Sequence, residues 1–197
     1  MKIGIDIDGV LVDLERYVID YGTKMCIENQ WPINLKLNEY FEKEKFSWTD
    51  EQEEEFWNKY LEKYVLETKP REFAKEVIKK LRKENNKIYI ITARNEEGLP
   101  PETYGKMQEF TKKWLLDNGI DNDELIFASD AEKLEQCLKN NIDIMIEDSP
   151  SNILNISNKI KVIKYDCQYN KNIEGKNIIM AYSWYHIYNI IKELKGE

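Results

Sequence analysis

Four short apolar runs, Lys2 to Asp6, Lys87 to Thr92, Glu124 to Ala128 and Asp143 to Glu147, are rich in Ile and do not alternate with polar residues. Strands read this way when both faces are covered, as in a parallel sheet. Ile160 to Tyr165 is a weaker fifth run. Helical stripes lie between them: Phe73, Val77, Ile78 and Leu81 make one, and Met107, Phe110, Trp114 and Leu115 make another, with Asn118-Gly119 as its stop signal. Leu134 and Leu138 mark a short helix, and Tyr182 to Leu194 reads as a C-terminal one. Strands alternating with helices predict an α/β, doubly wound, Rossmann-like parallel sheet.

Glu15 to Lys69 breaks the rhythm, being strand-free and rich in aromatic and acidic residues. Thr49-Asp50-Glu51-Gln52 has the spacing of a capping box. Residues 15–69 therefore read as a small helical cap inserted into a core of 1–14 and 70–197. Ligands of such sheets bind at the carboxyl ends of the strands, and an insertion rooted there would overhang that end. The loop Asn95 to Gly105, with Pro100-Pro101, is the best candidate for a mobile segment.

The chain has 197 residues and a net charge of -8, which disfavours a nucleic-acid duplex or an anionic membrane as its main partner. A small phosphorylated ligand, which answers to the local field, is not disfavoured. Cys26, Cys137 and Cys167 show no CxxC spacing and read as small buried hydrophobes of a reducing compartment. No apolar stretch approaches the roughly 20 residues of a membrane span, and the N-terminus enters a strand without a signal-peptide pattern. A soluble, cytoplasmic protein is expected. Oligomeric state is not legible.

The strand ends carry the chemistry. After Ile3-Gly4-Ile5 comes Asp6-Ile7-Asp8-Gly9-Val10, with carboxylates at i and i+2 where a strand gives way to a loop. Gly9 lets backbone amides curl toward an anion. Thr92 ends the second run and offers a hydroxyl. Lys133 opens the helix after the third. Glu147-Asp148 end the fourth, where two acids are costly unless they meet a cation. Carboxylate oxygens suit a hard divalent ion such as Mg²⁺. Taken singly, Asp6-x-Asp8 is ordinary turn chemistry, Thr92 a strand former and Lys133 a solvated side chain.

Together, in this order, these residues resemble the haloacid dehalogenase-like (HAD) phosphohydrolase superfamily. Asp6-Ile7-Asp8-Gly9-Val10 looks like its first motif, Thr92 its second, Lys133 its third and Glu147-Asp148 its fourth. The longer string through Leu11-Val12-Asp13, followed by an early helical cap, is most similar to the 5′(3′)-deoxyribonucleotidase-like branch. Ile91-Thr92-Ala93-Arg94 departs from that branch.

The resemblance implies a Mg²⁺-dependent phosphomonoesterase. Asp6 would be the nucleophile that forms an aspartyl-phosphate, and Asp8 the general acid and then base. Asp6, Asp8 through its backbone carbonyl, and Asp148 would hold Mg²⁺, with Glu147 of second rank. Thr92 and Lys133 would bind the phosphoryl group. The substrate would be a nucleoside monophosphate or a similar small phosphate. A sugar-phosphate phosphatase or phosphomutase stays open, as does a non-catalytic scaffold that binds a phosphorylated ligand. Selectivity is expected in the cap, where Trp31, Phe41, Phe46, Trp48, Phe56 and Trp57 are candidates to stack on a base and Trp48, in a predicted turn, is the best single one. Phe56 and Tyr60, at helical spacing, suit the cap's own core. Arg94 would bind a second anionic group or the protein's own acids. His186, the only histidine, is expected to be structural.

Overall fold

The computed structural model describes residues 1–196; Glu197, the last residue assigned to the core above, lies outside them. Six strands form one parallel sheet: β1 (Lys2–Ile5), β2 (Lys87–Thr92), β3 (Glu124–Phe127), β4 (Ile144–Glu147), β5 (Lys161–Tyr165) and β6 (Ile178–Ala181). Their order across the sheet is β3-β2-β1-β4-β5-β6. The helices are α1 (Leu14–Glu28), α2 (Glu42–Phe46), α3 (Asp50–Glu67), α4 (Ala74–Lys83), α5 (Met107–Asn118), α6 (Lys133–Lys139), α7 (Pro150–Ser157) and α8 (Trp184–Lys195).

Alternation along each strand feeds two cores. Ile3, Ile5, Ile88, Ile90, Ile144, Ile146 and Ile163 pack with residues of α4, α5 and α8. Ile91, Met145 and Val162 pack with Cys137 of α6 and Ile153 and Ile156 of α7. Both faces are therefore apolar, which is why the strands carry no polar period.

The sixth strand was not foreseen. It is a four-residue run at the sheet edge, three of whose residues are only half-buried, so it lacks the signal of a covered strand. The C-terminal helix starts at Trp184 rather than Tyr182, because the Ser183 side chain caps it by accepting from the His186 amide. The Thr49 capping box is present in both directions, and Gly119 ends α5 in the left-handed conformation.

Helices α1, α2 and α3 all fall between β1 and β2 and share a cluster of their own: Val18, Met25, Cys26, Phe46, Trp48, Phe56 and Tyr60. The chain leaves and re-enters the sheet side by side. Val12 bridges Pro70, and the Arg71 amide donates to the Leu11 carbonyl at 2.7 Å. Among the described residues, no helix is long and apolar enough to cross a membrane.

Candidate active site

Strand order places the site. β1 lies between β2 and β4, with Ile5 level with Ile90 on one side and Ile146 on the other. The residues that follow these strands emerge together at the carboxyl end, where the crossovers diverge from β1 to opposite sides of the sheet. Asp6 is 4 % exposed, and Glu147 and Asp148 are fully buried beside it. One carboxylate oxygen from each of Asp6, Glu147 and Asp148 lies within 4.8 Å of the others.

Lys133 is the buried counter-charge, with Nζ 3.0 Å from Asp6 Oδ1 and 3.2 Å from Glu147 Oε1. Burial opposes its charge, but Asp6, Glu147 and Asp130 outweigh burial and hold the ammonium protonated. Asn152 Nδ2 bridges Glu147 Oε1 and Asp130 Oδ1, at 2.7 Å each. Glu147 is thereby fastened to Lys133 and Asn152.

One ammonium does not balance three carboxyls. Burial pushes the Asp6 carboxyl well up, and Lys133 pulls it back. Burial and then Asp6 push Asp148 up to about 8; burial also raises Glu147 to about 7. Asp148 Oδ1 is buried without a hydrogen-bond partner, and Asp6 Oδ1 meets only the Lys133 ammonium. An all-oxygen, over-acidic cluster with an unpaired oxygen on Asp148 fits a hard divalent cation.

The Asp6–Val10 loop wraps around Asp148. Gly9 has φ +86°, and a Cβ there would sit 2.0 Å from Asp148 Oδ2, so only glycine fits. The Arg71 guanidinium fastens the same loop by donating to the Gly9 carbonyl at 3.1 Å and to Asp13 Oδ2 at 2.8 Å.

Asp8 points elsewhere. Arg94 Nε donates to both of its oxygens at 3.1 Å, Arg94 Nη2 to Oδ1 at 2.8 Å, and the Tyr64 hydroxyl to Oδ1 at 2.7 Å. Burial and then Asp8 push the Tyr64 phenol well up, so it stays a donor. Asp8's carboxylate is thus outside the three-acid group. Of the two partners expected for Arg94, the protein's own acid is the one in contact: Nε and Nη2 meet Asp8, while Nη1 is buried without a hydrogen-bond partner.

Thr92 is fully buried at the end of β2, where its hydroxyl accepts from the Arg94 amide at 3.3 Å. A cavity of about 210 Å³ opens over Asp6, lined by Asp6, Asp8, Arg94, Asp130 and Lys133 on the sheet side; Thr92 and Asp148 are not on its wall. Tyr40, Trp57, Leu61, Tyr64 and Val65 line it from the segment between β1 and β2. An adjoining cavity of about 700 Å³ shares Trp57, Leu61, Asn95 and Glu97 with it and is walled by Asp50, Glu53 and Glu54.

Trp48 is not on this wall. It is 5 % exposed, stacks on Phe46 at 4.4 Å, and donates through Nε1 to Cys26 Sγ at 3.4 Å. The expected turn is real, with Ser47 left-handed at the end of α2, but it folds the indole inward among Phe46, Phe56 and Cys26. Trp57, half-buried on α3, lines both cavities instead. His186 lies on α8, stacked on Tyr182, and lines neither cavity.

Sequence reasoning missed Tyr64, Arg71 and Asn152; Trp57 was among the cap aromatics it named. Asn152 had a faint signal, one turn into a helix opened by Ser149-Pro150. The others sit at ordinary helix or linker positions, and only folding brings them to the strand ends.

A parallel 3-2-1-4-5-6 sheet with Asp6, Lys133 and Asp148 converging at its carboxyl edge defines a HAD-superfamily phosphohydrolase, a phosphoric monoester hydrolase. The profile of the family described as "5' nucleotidase, deoxy (Pyrimidine), cytosolic type C protein" matches residues 1–196, and the chain belongs to this family. A nucleotidase of Clostridium acetobutylicum is 30% identical over 206 residues, covering 98% of this chain and 95% of that protein. Among solved structures, a haloacid dehalogenase-like hydrolase of Streptococcus pneumoniae superposes with a TM-score of 0.61 at 15% identity, covering 96% of this chain and 97% of the other. A HAD-superfamily hydrolase of Ehrlichia chaffeensis gives 0.56 at 16% identity, covering 98% and 97%. At these identities the superpositions speak for the fold.

Proposed function

We propose that the chain is a Mg²⁺-dependent phosphatase of nucleoside monophosphates that works through an aspartyl-phosphate on Asp6. The observation that carries this reading is the placement of Asp6 between a buried lysine 3.0 Å away and the unpaired oxygen of Asp148. Burial raises Asp6, so the Lys133 ammonium, which favours its charged form, both keeps it a carboxylate and screens its approach to a phosphate.

Asp6 attacks phosphorus through one carboxylate oxygen, and the ester bond to the leaving alcohol breaks. Asp8, two residues after the nucleophile and also on the cavity wall, hands that oxygen a proton and later takes one from the water that hydrolyses the acyl phosphate. Lys133 and the Thr92 hydroxyl hold phosphoryl oxygens. Asp6 and Asp148, with the Asp8 backbone carbonyl, would hold the cation; Glu147 stands behind them and positions Lys133. When bound, the cation supplies charge compensation for the phosphoryl oxygens.

Residues 15–69 act as a cap on a core of 1–14 and 70–197 and exclude water from the transfer. Support comes from their separate aromatic cluster and from the paired linkers at Val12 and Pro70. The adjoining cavity gives room for a nucleoside beyond the phosphate. Its acidic walls select against further phosphates. The pyrimidine deoxynucleotide preference in the family's description is the first substrate class to try.

The test is turnover of a panel of nucleoside and deoxynucleoside monophosphates, sugar phosphates and p-nitrophenyl phosphate, with Mg²⁺ and with EDTA. Deoxynucleoside monophosphates should lead and EDTA should abolish activity. Preference for a sugar phosphate would overturn the substrate reading, and full activity in EDTA the metal reading.

A further inference from the structure

Tyr169 sits in a short 3-10 helix, Gln168–Asn170, just after β5. Its hydroxyl donates to Asp148 Oδ2, while Asp148 Oδ1 has no partner. The two oxygens of one buried carboxylate are thus differentiated: one is taken by a phenol, the other is left in the acidic cluster.

The loop that presents Tyr169 is built for precision. Lys164, 1 % exposed on β5, turns its ammonium into the loop and donates to the carbonyls of Asn170 at 2.8 Å and Ile173 at 2.7 Å. Asn170, fully buried, donates through Nδ2 to the backbone carbonyls of Asp148 at 2.8 Å and Tyr165 at 2.9 Å, and its Oδ1 accepts from the Cys167 amide at 3.1 Å. Burying a lysine and an asparagine is costly unless every polar group is met, and here backbone carbonyls meet them. From the other side, the Tyr169 ring meets Tyr40 edge-on at 5.1 Å and lies 5.4 Å under the Lys45 ammonium. The loop meets Asp148 twice, through the Asn170 amide on the backbone carbonyl and the Tyr169 phenol on the side chain.

We propose that Tyr169 is the positioning residue of the metal site: it occupies Asp148 Oδ2 so that Asp148 offers a cation a single oxygen, and so sets both the affinity for Mg²⁺ and the discrimination against Ca²⁺. The proposal rests on the metal reading given above. Mg²⁺ takes few protein oxygens in strict geometry, whereas Ca²⁺ accepts bidentate carboxylates and more ligands. A phenol on one oxygen denies Ca²⁺ the bidentate mode. Partners that orient a ligand in this way are typically worth about 10–100-fold in metal affinity.

The experiment is calorimetric titration of Mg²⁺ and, separately, Ca²⁺ into metal-free full-length protein, for wild type, Asp148→Asn, Tyr169→Phe and Tyr169→Leu. Phe removes one oxygen and keeps the ring contacts; Leu removes both. Far-UV circular dichroism in EDTA checks that each variant is folded. Asp148→Asn should lose Mg²⁺ binding. Tyr169→Phe should bind Mg²⁺ about 10-fold more weakly, with a lower ratio of Mg²⁺ to Ca²⁺ affinity. Its Mg²⁺ activation constant should rise in proportion while kcat at saturating Mg²⁺ stays near wild type. Wild-type affinities and ratio in Tyr169→Phe overturn the proposal and leave the metal site standing. Weakening in Tyr169→Leu alone also overturns it, by assigning the effect to ring packing. Equal Mg²⁺ binding by wild type and Asp148→Asn overturns the metal reading, and this proposal with it.

Discussion

Arg94 grips Asp8 through two nitrogens, Nε at 3.1 Å from both carboxylate oxygens and Nη2 at 2.8 Å from Oδ1. The guanidinium is itself confined, with its centre 5.6 Å from the Tyr64 ring and 5.7 Å from that of Trp114. A planar fork fixes a carboxylate in direction as well as distance, which an ammonium cannot do. The proposed acid–base group is therefore held by geometry, and Tyr64 on α3 touches the same oxygen.

This arrangement predicts a split between Asp8 and Arg94 variants. Asp8→Asn should cost about 10²–10⁴ in kcat, the usual range for a lost general acid–base. Arg94→Lys keeps the charge and loses the fork, so Asp8 is misdirected and kcat should fall by up to about 10². Both losses should be larger for a nucleoside monophosphate than for p-nitrophenyl phosphate, whose leaving group needs little protonation. Equal losses on the two substrates, measured by steady-state kinetics, would refute the acid role.

Lys133 predicts a non-additive pair. Lys133→Met leaves Asp6 and Glu147 buried without their shared cation, and breaking a buried ion cluster at one partner typically costs about 3–5 kcal/mol. Adding Glu147→Gln removes one of the stranded charges. Thermal denaturation in EDTA should show the double variant melting above Lys133→Met, and neither should turn over substrate at an appreciable rate. A double variant less stable than the single one would mean that Glu147 has a partner of greater weight than Lys133.

Asp6→Asn should fold, since it removes a charge from an over-acidic cluster, and should lose nearly all activity. Acid quenching during turnover of ³²P-labelled substrate should trap label on wild-type Asp6 and none on the variant. Label on any other residue would overturn the nucleophile assignment.

The parallel sheet was legible because both faces of its strands are covered: Ile88, Ile90 and Ile91 are all buried, so no polar residue interrupts the run. β6 escaped because an edge strand with three half-buried residues carries no such mark. Asp6, Lys133 and Asp148 could be singled out in sequence because each follows a strand or opens a helix at a strand's carboxyl end, a position fixed by local pattern. Tyr64 and Tyr169 reach the same groups from the middle of a helix and from a loop after β5. Their contacts depend on packing at long sequence separation, which periodicity does not encode. Trp48 failed for a related reason. Its turn was read correctly, but which side of a turn an indole takes depends on what is packed beneath it, and Phe46 and Phe56 were there.

The move from Trp48 to Trp57 yields the last prediction. Trp57 lies on α3 one turn before Leu61, and both residues line the cavity over Asp6 and the larger one beside it. In the proposed binding mode, a nucleoside that extends from the phosphate at Lys133 into the larger cavity lies along the wall that holds that indole. Stacking on a base is typically worth about 1–3 kcal/mol, which is about 5- to 150-fold in affinity. Trp57→Ala should therefore raise KM for a nucleoside monophosphate by about that factor and leave p-nitrophenyl phosphate nearly unchanged, since that substrate has no base to lose. Trp48→Ala should do the opposite. It empties a buried site against Phe46 and Cys26, lowers Tm through a cavity cost of about 3–5 kcal/mol, and affects both substrates alike. Running both variants against both substrates separates a wall residue from a packing residue. If Trp57→Ala shifts the two substrates equally, the indole supports α3 rather than the base, and selectivity passes to Tyr40 and to the Asn95 and Glu97 side of the cavity.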